Sequence, residues 1–259
     1  MKKISALIAI VTLMAAPSAM AQEVDNYGYF DHLGAGVSVG LDGIGVDLAA
    51  PIGNYFQLRA GVSFMPSIKV FDTDITYKYG KINPDTGRKP EATVGVDFKA
   101  LGWTNGKLLF DYYPSIKNDF RITAGLFIGS SAIIKAYNTD PIKSDGEGIE
   151  VGNVPLQAEN GNAKIHLRTN AIKPYVGIGY GRDVPRSRVN FGADLGVMIW
   201  GKPGLSAWGK NADTGKPEWV DFDKDDLDNK DFTENYDKYE KYLWPVYPVL
   251  SIRVGFRLF

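Results

Sequence analysis

A period-two alternation of apolar and non-apolar residues runs through most of the chain and predicts strands. From Leu33 to Leu41 one face carries Leu33, Ala35, Val37, Val39 and Leu41, and the other Gly34, Gly36, Ser38 and Gly40. Asp42-Gly43 is a two-residue hairpin turn. The returning strand sets Ile44, Val46, Leu48, Ala50 and Ile52 against Gly45, Asp47 and Ala49. Beyond Gly53-Asn54 a third strand opposes Phe56, Leu58, Ala60, Val62 and Phe64 to Gln57, Arg59, Gly61 and Ser63. The same pattern returns over Leu108 to Tyr112, Phe120 to Ile128, Pro174 to Gly181, Arg188 to Ile199 and Leu250 to Leu258, for eight strands in all.

No residue on the apolar faces is charged, although 23% of the chain is. The opposite faces are dominated by glycine. A soluble barrel hides its apolar face and shows water a face of Lys, Glu and Thr. A water-facing strand of glycine loses β-propensity and gains nothing. Glycine suits the cramped interior of a closed eight-stranded barrel. The apolar face then points outward, which is tolerable only in lipid, and closure leaves no unpaired backbone edge in hydrocarbon. The expected fold is all-β: an eight-stranded antiparallel up-and-down transmembrane barrel. Segments such as Ile75 to Tyr79 and Thr93 to Ala100 either extend it outward or raise the count to ten.

Link lengths fit that topology. Gly53-Asn54, Pro114 to Asp119 and Arg182 to Ser187 are short and share one side, expected to be periplasmic. The long links, 67–91, 138–170 and 201–245, share the other and read as outer loops. Tyr29, Phe30, Tyr55, Phe56, Tyr112, Tyr113, Phe120, Phe256 and Phe259 fall at the periplasmic strand ends, and Trp103, Trp200, Trp244 and Tyr247 at the outer ends, as interfacial belts would.

The N-terminus adds a destination. Lys2 and Lys3, the apolar run Ile4 to Ala16 and the Ala19-Met20-Ala21 cleavage site form a secretory signal peptide over residues 1–21, leaving one barrel domain over 22–259. No other segment approaches the ~18 uncharged apolar residues of a spanning helix. Composition narrows the chemistry. Without cysteine the chain has no disulfide, thiol nucleophile or lipid-modified cysteine. With 29 basic and 30 acidic residues it is no nucleic-acid binder by bulk positive charge.

With these features and the ending Arg253-Val-Gly-Phe-Arg-Leu-Phe259, the chain resembles small outer-membrane β-barrel proteins of Gram-negative bacteria. It looks closest to OmpA-like and OmpX-like barrels of the Bacteroidetes type. Asp111-Tyr-Tyr-Pro114 and Phe120-Arg-Ile-Thr-Ala-Gly125 share in the resemblance. It implies partners in outer-membrane lipid and lipopolysaccharide, and in the barrel-assembly machinery, with Phe256 and Phe259 as the assembly signal. The family signal places Phe on the outward face; here the outward set is Phe256 and Leu258.

The glycine-rich face also carries Asp47, Arg59, Lys99, Asp111, Arg121, Asp194, Arg253 and Arg257. Asp47 with Arg59, and Asp111 with Arg121, straddle turns almost symmetrically, as cross-strand pairs do. A charge inside a barrel must be paired or wet, so Asp47, Arg59, Asp111, Arg121, Asp194 and Arg253 are expected to form an ion-pair network closing the lumen. A narrow passive pore is the alternative. An outer-rim lipid-modifying enzyme comes third: it needs His with Ser and a carboxylate, and His166 in Lys164-Ile-His-Leu-Arg168 has no Ser nearby in sequence, while His32 falls at the periplasmic end. No catalytic residue or cofactor is expected.

Residues 218–241 hold ten acids and four lysines with interleaved aromatics. Trp219, Phe222, Asp223, Asp225, Tyr236 and Tyr239 are candidates for an extracellular ligand. Asp221, Asp223 and Asp225 mimic the start of a calcium loop, but Asp226 and Phe232 occupy its Gly and Glu positions. Asp231-Phe-Thr-Glu234 resembles a capping box, predicting a short helix before Pro245. The expected role is non-enzymatic: structural, or surface binding through the outer loops.

Overall fold

The computed structural model describes residues 26–143, 149–151, 154–156, 160–210, 216–222 and 245–259. The leader segment 1–21 and the helix expected before Pro245 lie outside them. Every regular element among the described residues is a strand: β1 (Gly34–Gly40), β2 (Gly43–Ile52), β3 (Phe56–Phe64), β4 (Ser67–Tyr79), β5 (Glu91–Leu101), β6 (Thr104–Tyr112), β7 (Phe120–Gly129), β8 (Ala132–Asn138), β9 (Ile149–Val151), β10 (Val154–Leu156), β11 (Ile165–Arg168), β12 (Ile172–Tyr180), β13 (Val189–Ile199), β14 (Gly204–Lys210), β15 (Pro217–Phe222) and β16 (Val246–Arg257).

Eight of them close an antiparallel barrel in the order β1-β16-β13-β12-β7-β6-β3-β2. These are the eight segments that alternation singles out. Closure is made by β1, whose Val37 faces Val254 of β16 and Val46 of β2. Outward positions are apolar and bare: Val37 is 50% exposed, Leu195 55% and Ile252 63%. Inward positions carry glycine and buried charge. The turn at Asp42-Gly43 is tight, with Gly43 at φ +102°.

Among the described residues, the long links carry strands. Those strands join β5 and β8 in a second, open sheet in the order β10-β9-β4-β5-β8-β11-β14-β15. The expectation of loops at 67–91, 138–170 and 201–245 is corrected there. Neither do β4 and β5 add two strands to the barrel: each continues a barrel strand, β4 following β3 and β5 preceding β6. At the joints the backbone breaks step. Leu101 and Gly102 both have positive φ (65° and 73°), as does Gly201 (80°). Backbone bonds such as Met65 N to Trp103 O (2.9 Å) and Asn170 N to Trp200 O (2.8 Å) hold the collar between barrel and sheet.

The second sheet buries its own core from Ile75, Tyr77, Val94, Val96, Phe98, Ile149, Leu156, Ile165 and Leu205, among others. Trp103 and Trp200 belong to it, with rings edge-on at 6.2 Å, and Tyr247 packs against both. These three are therefore no outer interfacial belt, because the sheet above covers them; Trp244 lies outside the described residues. At the opposite end Tyr29, Phe30, Tyr55, Phe120 and Phe259 are exposed, whereas Tyr113 turns fully into the lumen.

Candidate functional site

Glycine on the inward face makes room for charge. A Cβ on Gly179 would stand 2.8 Å from Asp194 Oδ1 and 3.0 Å from Arg121 Nε. Around this space three arginines interlock with three aspartates. Arg59 reaches Asp111 (3.1 Å), Asp194 (3.5 Å) and Asp183 (3.6 Å). Arg121 reaches Asp194 (2.6 Å), Asp111 (3.4 Å) and Asp183 (3.6 Å). Arg253 reaches Asp183 (2.5 Å) and Asp194 (3.4 Å). Thr123 donates its hydroxyl to Asp111 at 2.5 Å. The charges balance, as they must in a group of residues this deeply buried.

A second tier lies nearer the second sheet. Lys107 pairs with Asp47 (3.0 Å) and stands 3.8 Å from Asp42, while Lys173 donates to Asn105 Oδ1 (3.1 Å) and the Ser130 carbonyl (2.8 Å). An apolar layer of Leu109, Phe127, Tyr175, Met198 and Val249 fills more of the lumen.

The end of the barrel away from the second sheet is stoppered by the link between β12 and β13. Gln57 accepts hydrogen bonds from the Asp183 and Val184 amides (3.1 and 3.2 Å) and from the Tyr113 hydroxyl (3.1 Å). Tyr27 donates to the Val184 carbonyl at 2.7 Å. Burial pushes the Tyr27 hydroxyl up to about 12, so it stays a donor. The Arg182 guanidinium lies 4.2 Å from the centre of the Tyr113 ring and pairs with Asp119 at 3.1 Å.

Of the charges singled out in the sequence, Arg59, Asp111, Arg121, Asp194 and Arg253 meet in the central network. Asp47 does not pair with Arg59. It sits opposite Gly61, which itself sits opposite Lys107, while Arg59 sits opposite Ala49, so the bare glycine leaves Asp47 to Lys107. Arg257 donates to the Arg186 carbonyl instead. Lys99 is not in the lumen at all: it stands on the outward face of the second sheet, where its strand has reversed its faces. Sequence reasoning missed Lys107 and Lys173, which extend the alternation one step beyond the strand starts taken at Leu108 and Pro174. It also missed Asp183, because no periodicity marks a short link that folds inward.

Phe256 lies on β16 opposite Ala35; Phe259 is exposed, and its carbonyl accepts from the Leu33 amide at 3.3 Å. On β15, Phe222 packs on the inner core of the second sheet, while Trp219 faces out, stacked on His166 (4.4 Å between ring centres) with the Arg168 guanidinium 5.0 Å from its ring centre. Asp223, Asp225, Tyr236 and Tyr239 lie outside the described residues.

The fold does supply His166 with a serine: Ser206 is its register partner on β14. The Ser206 hydroxyl, however, donates directly to Asp221 (2.6 Å), and the imidazole lies against Trp219. A relay runs from carboxylate to imidazole to hydroxyl, and that order of contacts is not met. Burial, with Lys135, Arg168 and Lys164 nearby, lowers the His166 pKa to about 4. Among the described residues no group of three or more His, Asp or Glu is placed to hold a metal ion.

No protein-family model matches the chain, and no curated protein matches it in sequence. Among solved structures it is similar to two proteins of Acinetobacter baumannii. CarO2 has 16% identity and a TM-score of 0.45 over 87% of this chain and 98% of that one. CarO has 17% identity and a TM-score of 0.45 over 88% of this chain and 99% of that one.

Proposed function

We propose that the chain is an integral outer-membrane barrel protein of the small, OmpA-like kind, with a lumen sealed by its own side chains. On this reading it neither conducts solutes nor catalyses a reaction, and its work is structural or is surface binding through the second sheet. One observation carries the reading: Arg59, Arg121 and Arg253 are locked among Asp111, Asp183 and Asp194, with almost no exposure, across the width of the barrel. Eight strands enclose an interior that side chains just fill, and here the filling is charged and paired, each arginine within ion-pair distance of at least two of the aspartates. The apolar outward belt supports the membrane setting, because so large an exposed apolar surface is unstable in water. The partners on this reading are outer-membrane lipid, the assembly machinery through the Phe259 end, and a ligand at the outer surface.

Planar-bilayer recording of the refolded chain tests it. The expected trace is flat, without reproducible current steps. Stable unitary steps from the wild-type chain contradict the sealed lumen and favour the narrow pore.

A further inference from the structure

The outward face of the second sheet carries a row of basic side chains at one height. Lys69 on β4 is the register partner of Lys99 on β5, Lys99 of Lys135 on β8, and Lys135 of His166 on β11. Arg168 follows two residues nearer the barrel on β11. Like charges directly opposite one another destabilise a sheet, so folding stability does not account for the row.

Lys69 is neutralised by Asp97 (2.9 Å) and Asp72 (3.3 Å). Among the described residues the other three cations meet no carboxylate. Lys99 lies 5.0 Å from the centre of the Tyr137 ring. Lys135 donates to the Gly102 carbonyl at 3.3 Å, so its ammonium dips toward the barrel. Arg168 donates to Ser131 Oγ at 3.4 Å beneath its contact with Trp219. The nearest acid on the β11–β14–β15 part of this face, Asp221, is engaged by Ser206. The lowered pKa of His166, to which Lys135, Arg168 and Lys164 contribute after burial, registers the positive potential here.

The row's position selects its occupant. The uppermost outward apolar residue on β12, Ile172, is 58% exposed and four residues past Arg168. At ~3.3 Å per residue and a strand tilt of about 35–45°, Arg168 stands roughly 10 Å above the edge of the apolar belt. That is the outer margin of the headgroup layer, which reaches about 5–8 Å beyond the hydrocarbon, and Lys and Arg side chains bend readily toward it. Lys99, Lys135 and Arg168 lie on three adjacent strands and span two strand spacings, about 10 Å, enough for a headgroup with more than one negative charge.

We infer that Lys99, Lys135 and Arg168 form a binding site for the phosphorylated headgroup of an outer-leaflet lipid, walled by Tyr137 and Trp219. The inference rests on the membrane reading above and gives that reading a lipid chemistry and residues.

Native mass spectrometry of the full chain in neutral detergent tests it with three probes: diphosphorylated lipid A, the same lipid stripped of its phosphates, and free pyrophosphate. The phosphorylated lipid should bind at least tenfold more tightly than the stripped one, and pyrophosphate should not be retained. The variant Lys99→Gln/Lys135→Gln/Arg168→Gln should lose about a hundredfold in affinity for the phosphorylated lipid, each removed cation having been worth about fivefold near an anionic surface. Unshifted heat-modified mobility in a gel controls for its folding. Equal binding of the two lipids by the wild-type chain overturns the inference, as does full affinity in a folded triple variant. Retention of pyrophosphate as strong as that of the lipid overturns it in favour of a free-anion site. Failure of the wild-type chain to insert into vesicles strikes the membrane reading, whereas insertion with phosphate-independent lipid binding strikes this inference alone.

Discussion

The barrel and the sheet above it are continuous ribbons with opposite insides. In β6, Leu108 and Phe110 face out and are exposed while Asp111 is buried; in β5, a few residues earlier in the same ribbon, Phe98 is buried and Lys99 faces out. The two arrangements differ because the surroundings differ. On the membrane reading an apolar side chain outside the barrel meets acyl chains, where a charge is costly. Outside the second sheet water favours the reverse arrangement. The reversal is accommodated where Leu101 and Gly102 take positive φ, so one short backbone irregularity changes which face is buried.

The sharpest way to break the comparison is to remove a central charge. Replacing Arg121 with Leu leaves Asp111, Asp183 and Asp194 under-compensated in a dry interior. The expected cost is about 3–5 kcal/mol, read as a lower urea midpoint in lipid vesicles. A change near zero would mean that the lumen is wet. Next is a charge placed on each outward face. Ile252→Lys should cost roughly 2–4 kcal/mol in bilayer, whereas Thr76→Lys on the second sheet should stay within about 0.5 kcal/mol. Equal costs would abolish the contrast. Smaller again is Gly179→Ala, whose methyl meets Asp194 Oδ1 at 2.8 Å and the Ala193 carbonyl at 2.9 Å. About 1–3 kcal/mol is expected, against none if the network shifts freely.

The smallest effect is in pH. The folded pKa of His166, about 4, lies below its ordinary value of 6.5. Between these values the unfolded chain binds the extra proton, so stability falls as pH drops from about 6.5 to 4 and then levels. Amide exchange in β11 and β14 should therefore quicken at pH 5 relative to pH 7, and His166→Gln should flatten the difference. An unchanged slope in that variant would locate the titration elsewhere.

Much of this was legible in the alternation. All eight barrel strands, the direction of their faces and five of the six lumen charges that meet centrally follow from period-two reading, because lipid forbids charge on one face and closure forbids bulk on the other. The second sheet was not legible as a sheet. Thr93 to Ala100 alternates well, but its apolar face is the opposite one, so the same pattern misplaced Lys99 in the lumen. Asp183 was invisible for another reason: the eight-residue link 181–188 shows no period, and only the fold shows that it turns inward to meet Gln57 and Arg253. The Asp47–Arg59 pairing failed on register, since the β2–β3 hairpin is symmetric about Asn54 and not Gly53, which sets Asp47 opposite Gly61 and Arg59 opposite Ala49.

The chain has no cysteine of its own, so single cysteines report cleanly on their surroundings. The most direct test sets one at each position from Asp97 to Phe110 in the chain reconstituted in vesicles, and treats it with a water-soluble maleimide and a lipid-soluble one. Positions 97 and 99 should react with the aqueous reagent, 108 and 110 only with the lipid-soluble one, and 109 with neither, with the changeover at residues 101–103. Aqueous labelling of 108 and 110 as fast as that of 97 and 99 would contradict the reversal of faces on which both the sealed lumen and the headgroup site depend.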